Sequence, residues 1–235
     1  MADEDFDIDS LAAYLHLGPA KVMRLADRGK LPGRKVGGSW KFSAAEIHHW
    51  LEDRIGVSDE SELQEVEDVL DRAATDEEEA PSIAALLPQA AVAVPLAART
   101  RNSVIVKMVE TAAATGLLWD PPKMVDAVRA REDMHPTALE SGVALLHPRR
   151  PLAGILGEAF LAFGRTESGI PFGGSRGMLT DLFFLILSVE DSGHLRVLAR
   201  LSRLINAPSF LADLRTAPDA ASVHRLIAER EGAIE

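Results

Sequence analysis

The sequence has no cysteine, a single tyrosine and three tryptophans among its 235 residues. Without thiols, disulfide frameworks and thiolate metal sites are excluded. No apolar run reaches the ~20 residues needed to cross a bilayer. The longest, Ile83–Ala98, is broken by Pro88, Gln89 and Pro95, and Leu182–Leu187 is too short. The N-terminus is acidic and offers no basic region followed by an apolar stretch, so no secretory signal is expected. No cluster of histidines and carboxylates has ligand spacing, so no metal site is expected. These absences favour a cytoplasmic protein without membrane insertion.

Positive charge is also scarce. Lys and Arg number 25 against 36 Asp and Glu, a net charge of −11. The distribution matters more than the sum. Between Val57 and Pro81, eleven acidic residues stand against Arg72 alone. Residues 54–81 therefore read as an acidic linker between residues 1–53 and 82–235. Leu63, Val66 and Leu70 would give it one amphipathic helix, but a solvated tether is the preferred reading. The apolar fraction, 47%, supplies a sizeable core.

Residues 1–9 are acidic and read as frayed. From Ile8 the residues Ile8, Leu11, Ala12 and Leu15 recur at helical spacing. Leu17-Gly18-Pro19 ends that helix, and Pro19 is a favoured first position for a second one. The second helix buries Val22, Leu25 and Ala26, and Gly29 ends it. Gly37-Gly38, set between β-formers, reads as a two-residue hairpin. Ser43-Ala44-Ala45-Glu46 reads as a capping box opening a third helix with Ile47, Trp50 and Leu51 on one face. The segments DIDSLAAYL, LGPAKVMRLADRGKLP and VGGSWKFSAAEIHHWL, within residues 7–52, resemble the small winged helix-turn-helix of excisionase and MerR-like proteins. That resemblance implies that the second helix enters the major groove of DNA and the wing lies along the backbone. Lys21, Arg24 and Arg28 fall on one face of the second helix. Lys30, Arg34, Lys35 and Lys41 lie beside it and in the wing. Such cations supply phosphate contacts. So small a module implies a homodimer or another partner. His16, His48 and His49 read as surface residues.

Residues 82–235 alternate helices and short strands, which implies an α/β layered domain. Ile105, Met108, Val109 and Ala112 form a helical stripe capped near Asn102 or Ser103 and stopped by Gly116. Asp120-Pro121 opens another helix facing inward through Met124, Val125 and Val128. Gly142–Leu146 and Gly157–Phe163 are strand candidates. Leu182–Leu187 is continuously apolar, as a central strand buried on both faces should be. A helix with Leu195, Leu198, Ser202 and Ile205 on one face follows, then helices over Phe210–Leu214 and Ala221–Glu229.

One stretch concentrates the chemistry. Arg131-Glu132 at a helix end, Thr137 and Gly142-Val143-Ala144-Leu145-Leu146-His147 resemble the phosphoacceptor segment of the EIIA component of the phosphoenolpyruvate–sugar phosphotransferase system, in its fructose, mannitol and nitrogen-regulatory branch. Gly169-Ile170-Pro171-Phe172-Gly173 resembles that family's following turn. Asp181–Ser188 with His194-Leu195 resembles its central strand and second-histidine helix. The resemblance implies an EIIA-like mixed sheet flanked by helices. It also implies a phosphoryl group received on His147 from HPr or a relative, with His194 and Arg131 stabilising it. A neutral imidazole is a nucleophile near physiological pH, and the transfer needs no cofactor.

Two positions depart from the family's pattern. Leu146 stands where proline usually precedes the active histidine, and Pro148 where a small residue follows. Pro148 has no backbone N–H to offer a phosphoryl group. Arg149 and Arg150 come next and provide an anion-binding neighbourhood. Two alternatives stay open: a degenerate domain that senses an anion or a protein partner, and a plain phosphotransferase component. His135 lies in the same segment, and His224 reads as exposed.

Overall fold

Asp7 starts the first helix. Its carboxylate accepts the Ser10 amide at 2.8 Å, while the Ser10 hydroxyl accepts the Asp7 amide at 2.9 Å. Such reciprocal capping satisfies donors that a helix start leaves without intrahelical partners. The bonds from Ser10 hold the Asp7 carboxyl below its usual range. The computed structural model describes residues 5–15, 17–44, 46–47, 50–51, 82–174 and 177–233. The chain divides into two units, Met1–Ala80 and Pro81–Glu235. The linker expected at 54–81 and the histidines His16, His48 and His49 lie outside the described residues.

In the first unit, α1 spans Ile8–Tyr14 and α2 spans Pro19–Asp27. Gly29 follows α2 at φ +67°, a left-handed stop that glycine adopts without strain. Strands β1, Arg34–Val36, and β2, Ser39–Lys41, form an antiparallel hairpin. Gly37 and Gly38 turn it with φ of 60° and 86°, the pair of positive angles that matches strand twist. Ala44, Glu46, Ile47, Trp50 and Leu51 are helical. Leu11, Val22, Phe42 and Ile47 are fully buried between these elements. The segment before α1 is better held than its acidity implies. Phe6 exchanges two backbone hydrogen bonds with Phe42, at 2.8 and 2.9 Å, and its ring stacks on Tyr14. Apolar pairing at Phe6 outweighs the charge around it.

The second unit is a four-stranded mixed sheet in the order β3–β5–β6–β4. The strands are β3, Val92–Ala93; β4, Val143–Leu146; β5, Phe160–Pro171; and β6, Leu179–Leu187. β4 runs parallel to β6, and β5 antiparallel to it. Helices α3, Arg101–Ala113, and α4, Pro121–Met134, share one core with Ala144, Leu146, Phe183 and Leu185 of the sheet. The alternate residues of β6, Leu182, Phe184 and Ile186, are buried too, so this strand is enclosed on both faces. Helix α5, Asp191–Ile205, packs on β6 and against α6, Pro208–Thr216, and α7, Ala220–Gly232.

Three local differences from the sequence reading have physical causes. Thr100 caps α3, in a reciprocal pair with Ser103, so the helix starts one residue before Asn102. Three cap-type residues in four made that choice ambiguous from sequence. β5 starts later and runs longer than Gly157–Phe163, because its ladder with β6 carries it through the polar stretch around Thr166, with a register shift between Arg165 and Ile170. The turn expected over Gly169–Gly173 is accordingly strand as far as Pro171, and Gly173 at φ +89° lies beyond it.

One buried ion pair ties the ends of this unit together. Arg200 Nε of α5 donates to Glu231 Oε1 of α7 at 2.7 Å. Glu231 also accepts the Ile83 amide at 2.7 Å, the Ala84 amide at 3.1 Å and the Ser82 hydroxyl at 2.9 Å. Burial pushes its carboxyl upward, and the bonds from Arg200, Ala84, Ile83 and Ser82 outweigh that, leaving it below the usual glutamate value.

Two outcomes follow from the packing. Leu185→Ala, in the enclosed strand, should cost about 2–5 kcal/mol in urea denaturation. Glu231, with its folded value depressed, contributes stability that is present above the unfolded value of about 4.3 and lost as pH falls through the folded one. The advantage of the wild type over Glu231→Gln in denaturation midpoint should therefore shrink as pH drops from about 6 toward about 3.

Candidate functional site

β4 is a short parallel strand whose partner, β6, fixes its peptides in register, with Leu145 opposite Phe184 and Leu146 opposite Leu185. His147 follows directly. It is 2% exposed. Its Nδ1 lies 2.8 Å from the carbonyl oxygen of Leu145. A carbonyl only accepts, so Nδ1 carries the ring proton and Nε2 of the neutral ring keeps its lone pair. That lone pair accepts from Arg131 Nε at 3.1 Å.

Arg131 comes from the last turn of α4 and is buried, with Nη1 donating to the His135 carbonyl at 2.8 Å. His194, in the first turn of α5 and 5% exposed, stands beside His147. Its ring centroid is 5.1 Å from that of His147, tilted by 55°. Its Nδ1 meets the Ser188 hydroxyl at 3.3 Å. Both histidines sit at the carboxyl ends of the two parallel strands, where open α/β sheets place their ligands.

The three residues expected to act together, His147, His194 and Arg131, are thus brought together from β4, α5 and α4. Arg149 and Arg150 are exposed instead, and with Ala127, Ala130, Pro148 and Leu152 they line a cavity of about 410 Å³. The His135 side chain is exposed and only its carbonyl reaches the site. His224 is half-buried on α7 rather than exposed. Among the described residues no group of three His, Asp or Glu is placed to hold a metal ion.

Glu132 has no role in the reading from sequence alone. It is 1% exposed. Its carboxylate accepts the Thr137 amide at 3.2 Å, the Thr137 hydroxyl and Arg101 Nη2 at 3.5 Å. Burial pushes the carboxyl up, against the opposing pull of Thr137 and Arg101. A glutamate beside an arginine at a helix end looks like a surface ion pair, and its partner Thr137 lies five residues on, past the end of α4.

In the first unit, Lys21, Arg24, Arg28, Lys30, Arg34 and Lys35 are exposed and Lys41 is half-buried. Some of these cations are paired. Arg34 pairs with Asp5 at 2.7 Å. Lys35 lies 3.5 Å from Asp27 and over the Trp40 ring at 4.9 Å. Lys21 and Arg24 of α2, and Arg28 at its C-terminal cap, make no ion pair among the described residues.

The fold of the second unit is that of EIIA proteins. The nitrogen regulatory protein IIA-Ntr of Neisseria meningitidis superposes with a TM-score of 0.52 at 23% identity, covering 62% of this chain and 98% of that one. The IIA mannitol protein of Escherichia coli gives 0.53 at 20% identity, covering 60% and 97%. The family model described as "Phosphoenolpyruvate-dependent sugar phosphotransferase system, EIIA 2" matches residues 85–230, and the chain belongs to this family. A second model, "Helix-turn-helix domain", matches residues 6–55. The protein is therefore an EIIA domain joined to a helix-turn-helix domain.

Among curated relatives, a nitrogen regulatory protein of Bradyrhizobium diazoefficiens is 35% identical over 100 residues, 42% of this chain and 63% of that protein. The fructose-specific EIIABC component of Bacillus subtilis is 29% identical over 125 residues, 52% of this chain and 19% of that protein. The chain thus spans less than two thirds of the length of either. No described helix is long and apolar enough to cross a membrane.

Removing the Arg131 side chain leaves the buried His147 Nε2 and His135 carbonyl without this donor. Arg131→Ala should therefore lower the stability of the second unit by about 1–3 kcal/mol, read by urea denaturation.

Proposed function

We propose that this protein is a cytoplasmic regulator in which a phosphocarrier domain, residues 82–235, controls a DNA-binding domain, residues 1–53, across a tether at 54–81. The observation that carries the reading is the ring of His147. Its proton is committed to the Leu145 carbonyl, and Nε2 faces an arginine beside a second histidine.

In the reaction, Nε2 attacks the phosphorus of a phosphohistidine on an HPr-like carrier. The Nε2–P bond forms as the donor's P–N bond breaks, and that electron pair stays on the donor's ring. No proton crosses, because Nδ1–H remains on the Leu145 carbonyl. The hydrogen bond from Arg131 Nε shifts from the lone pair to a phosphoryl oxygen, a charge-assisted contact, and His194 supports another. The group adds nearly two negative charges at a site with little exposure, where pairing with Arg131 counts for more than it would in water. That local change biases the DNA-binding domain or its dimerisation, and with it transcription. Lys21 and Arg24 of α2, with Arg28 at its C-terminal cap, carry the approach to DNA, with Arg34, Lys35 and Lys41 of the wing alongside.

A second reading is favoured by one observation, the cavity beside Pro148 with Arg149 and Arg150 at its rim. In it the domain binds an anion and is never phosphorylated. Intact mass after incubation with phosphoenolpyruvate, enzyme I and an HPr-type carrier decides between them. The expected result is one acid-labile phosphate on the wild type and none on His147→Ala. No gain on the wild type, with the donors active on a control EIIA, would select the anion sensor. For the first domain, Arg24→Ala should weaken DNA binding and reduce the slope of log K against log salt by about one, as loss of one phosphate contact does.

A further inference from the structure

Glu132 is a buried carboxylate whose bonds go to Thr137 and Arg101, yet both anchors of the His147 ring trace back to it. On one side, Glu132 holds the amide and hydroxyl of Thr137. The Thr137 carbonyl in turn accepts the Leu145 amide at 3.4 Å, and the Leu145 carbonyl accepts His147 Nδ1 at 2.8 Å. On the other side, Arg131 precedes Glu132 in α4 and spans from His147 Nε2 to the carbonyl of His135, two residues before Thr137. The loop at 135–137 therefore positions the acceptor of Arg131 and braces the peptide that orients the imidazole. Glu132 closes this circuit by bonding across its own helix end.

The charge state of Glu132 matters to the circuit. An ionised carboxylate has only acceptors, and it meets three donors here: the Thr137 amide, the Thr137 hydroxyl and Arg101 Nη2. A glutamine would turn an NH₂ group toward one of them. Two of the three donors belong to Thr137, while Arg101 makes the longest contact and is partly exposed.

We propose that Glu132 is a positioning residue, which fixes the tautomer of His147 and the placement of Arg131 through Thr137. This rests on His147 being the phosphoryl acceptor. A residue that only stabilised the fold would leave the ring protonation pattern unchanged in the folded protein.

The test uses the full chain with ¹⁵N-labelled histidine. Imidazole ¹H–¹⁵N correlation spectra are compared for wild type, Glu132→Gln and Thr137→Val, together with steady-state phosphorylation by the HPr-type donor. The wild-type His147 ring is expected in the Nδ1–H form alone. Both variants are expected to show a mixture with the Nε2–H form and a kcat lower by about 10- to 100-fold, with KM for the donor protein unchanged. If Glu132→Gln does not fold, Thr137→Val, which keeps the charge and removes one hydroxyl, carries the test. A folded variant with the wild-type tautomer overturns the proposal, whatever its rate, and so does a shifted tautomer with an unchanged rate. Absence of phosphorylation in the wild type would overturn the phosphoacceptor reading instead, and the ring signals would still decide whether Glu132 holds the imidazole.

Discussion

A neutral imidazole has one N–H, and the Leu145 carbonyl takes it. The geometry of the candidate site depends on that commitment. It leaves a single lone pair, on Nε2, and aims it away from the strand. The carbonyl points where it does because β4 is held in parallel register by β6, while the segment before it folds back to bridge Ala138 with Ala144. An edge strand of four residues has few bonds of its own with which to aim a side chain. Here it borrows direction from an enclosed strand on one flank and a reversing loop on the other.

The sheet and the site share residues in a way that links stability to chemistry. Leu146 and Leu185 lie in the core, while His147, directly after Leu146, meets Arg131 and His194. Alternation along a strand separates these duties at one-residue spacing. On the helical side, α4 ends just after the turn that carries Arg131, and its C-terminal carbonyls lie close to a buried cation, a favourable pairing with the helix dipole.

Much of this was readable from sequence where one residue type admits one conformation. The wing hairpin follows from Gly37-Gly38, since positive φ at two consecutive positions leaves little else. The enclosed strand follows from an unbroken apolar run, and the positions of Arg131, His147 and His194 follow from a pattern spread over the domain. What escaped the sequence depends on contacts across chain reversals. The bond between Glu132 and Thr137 joins α4 to the loop beyond its end, and no periodicity in the sequence marks it. The length of β5 is set by its neighbour rather than by its own polar residues. Phe6 is held by Phe42, a partner thirty-six positions away in an acidic context that read as frayed.

The carboxylate of Glu231, described above as an ion-pair partner, also has an architectural consequence. It belongs to the final helix, and it grips the first amides of the same unit. Residues 82–84 and Glu231, near opposite ends of the unit, therefore lie together. A domain whose two ends meet can be joined to another through either end without altering its interior, which makes it a self-contained cassette.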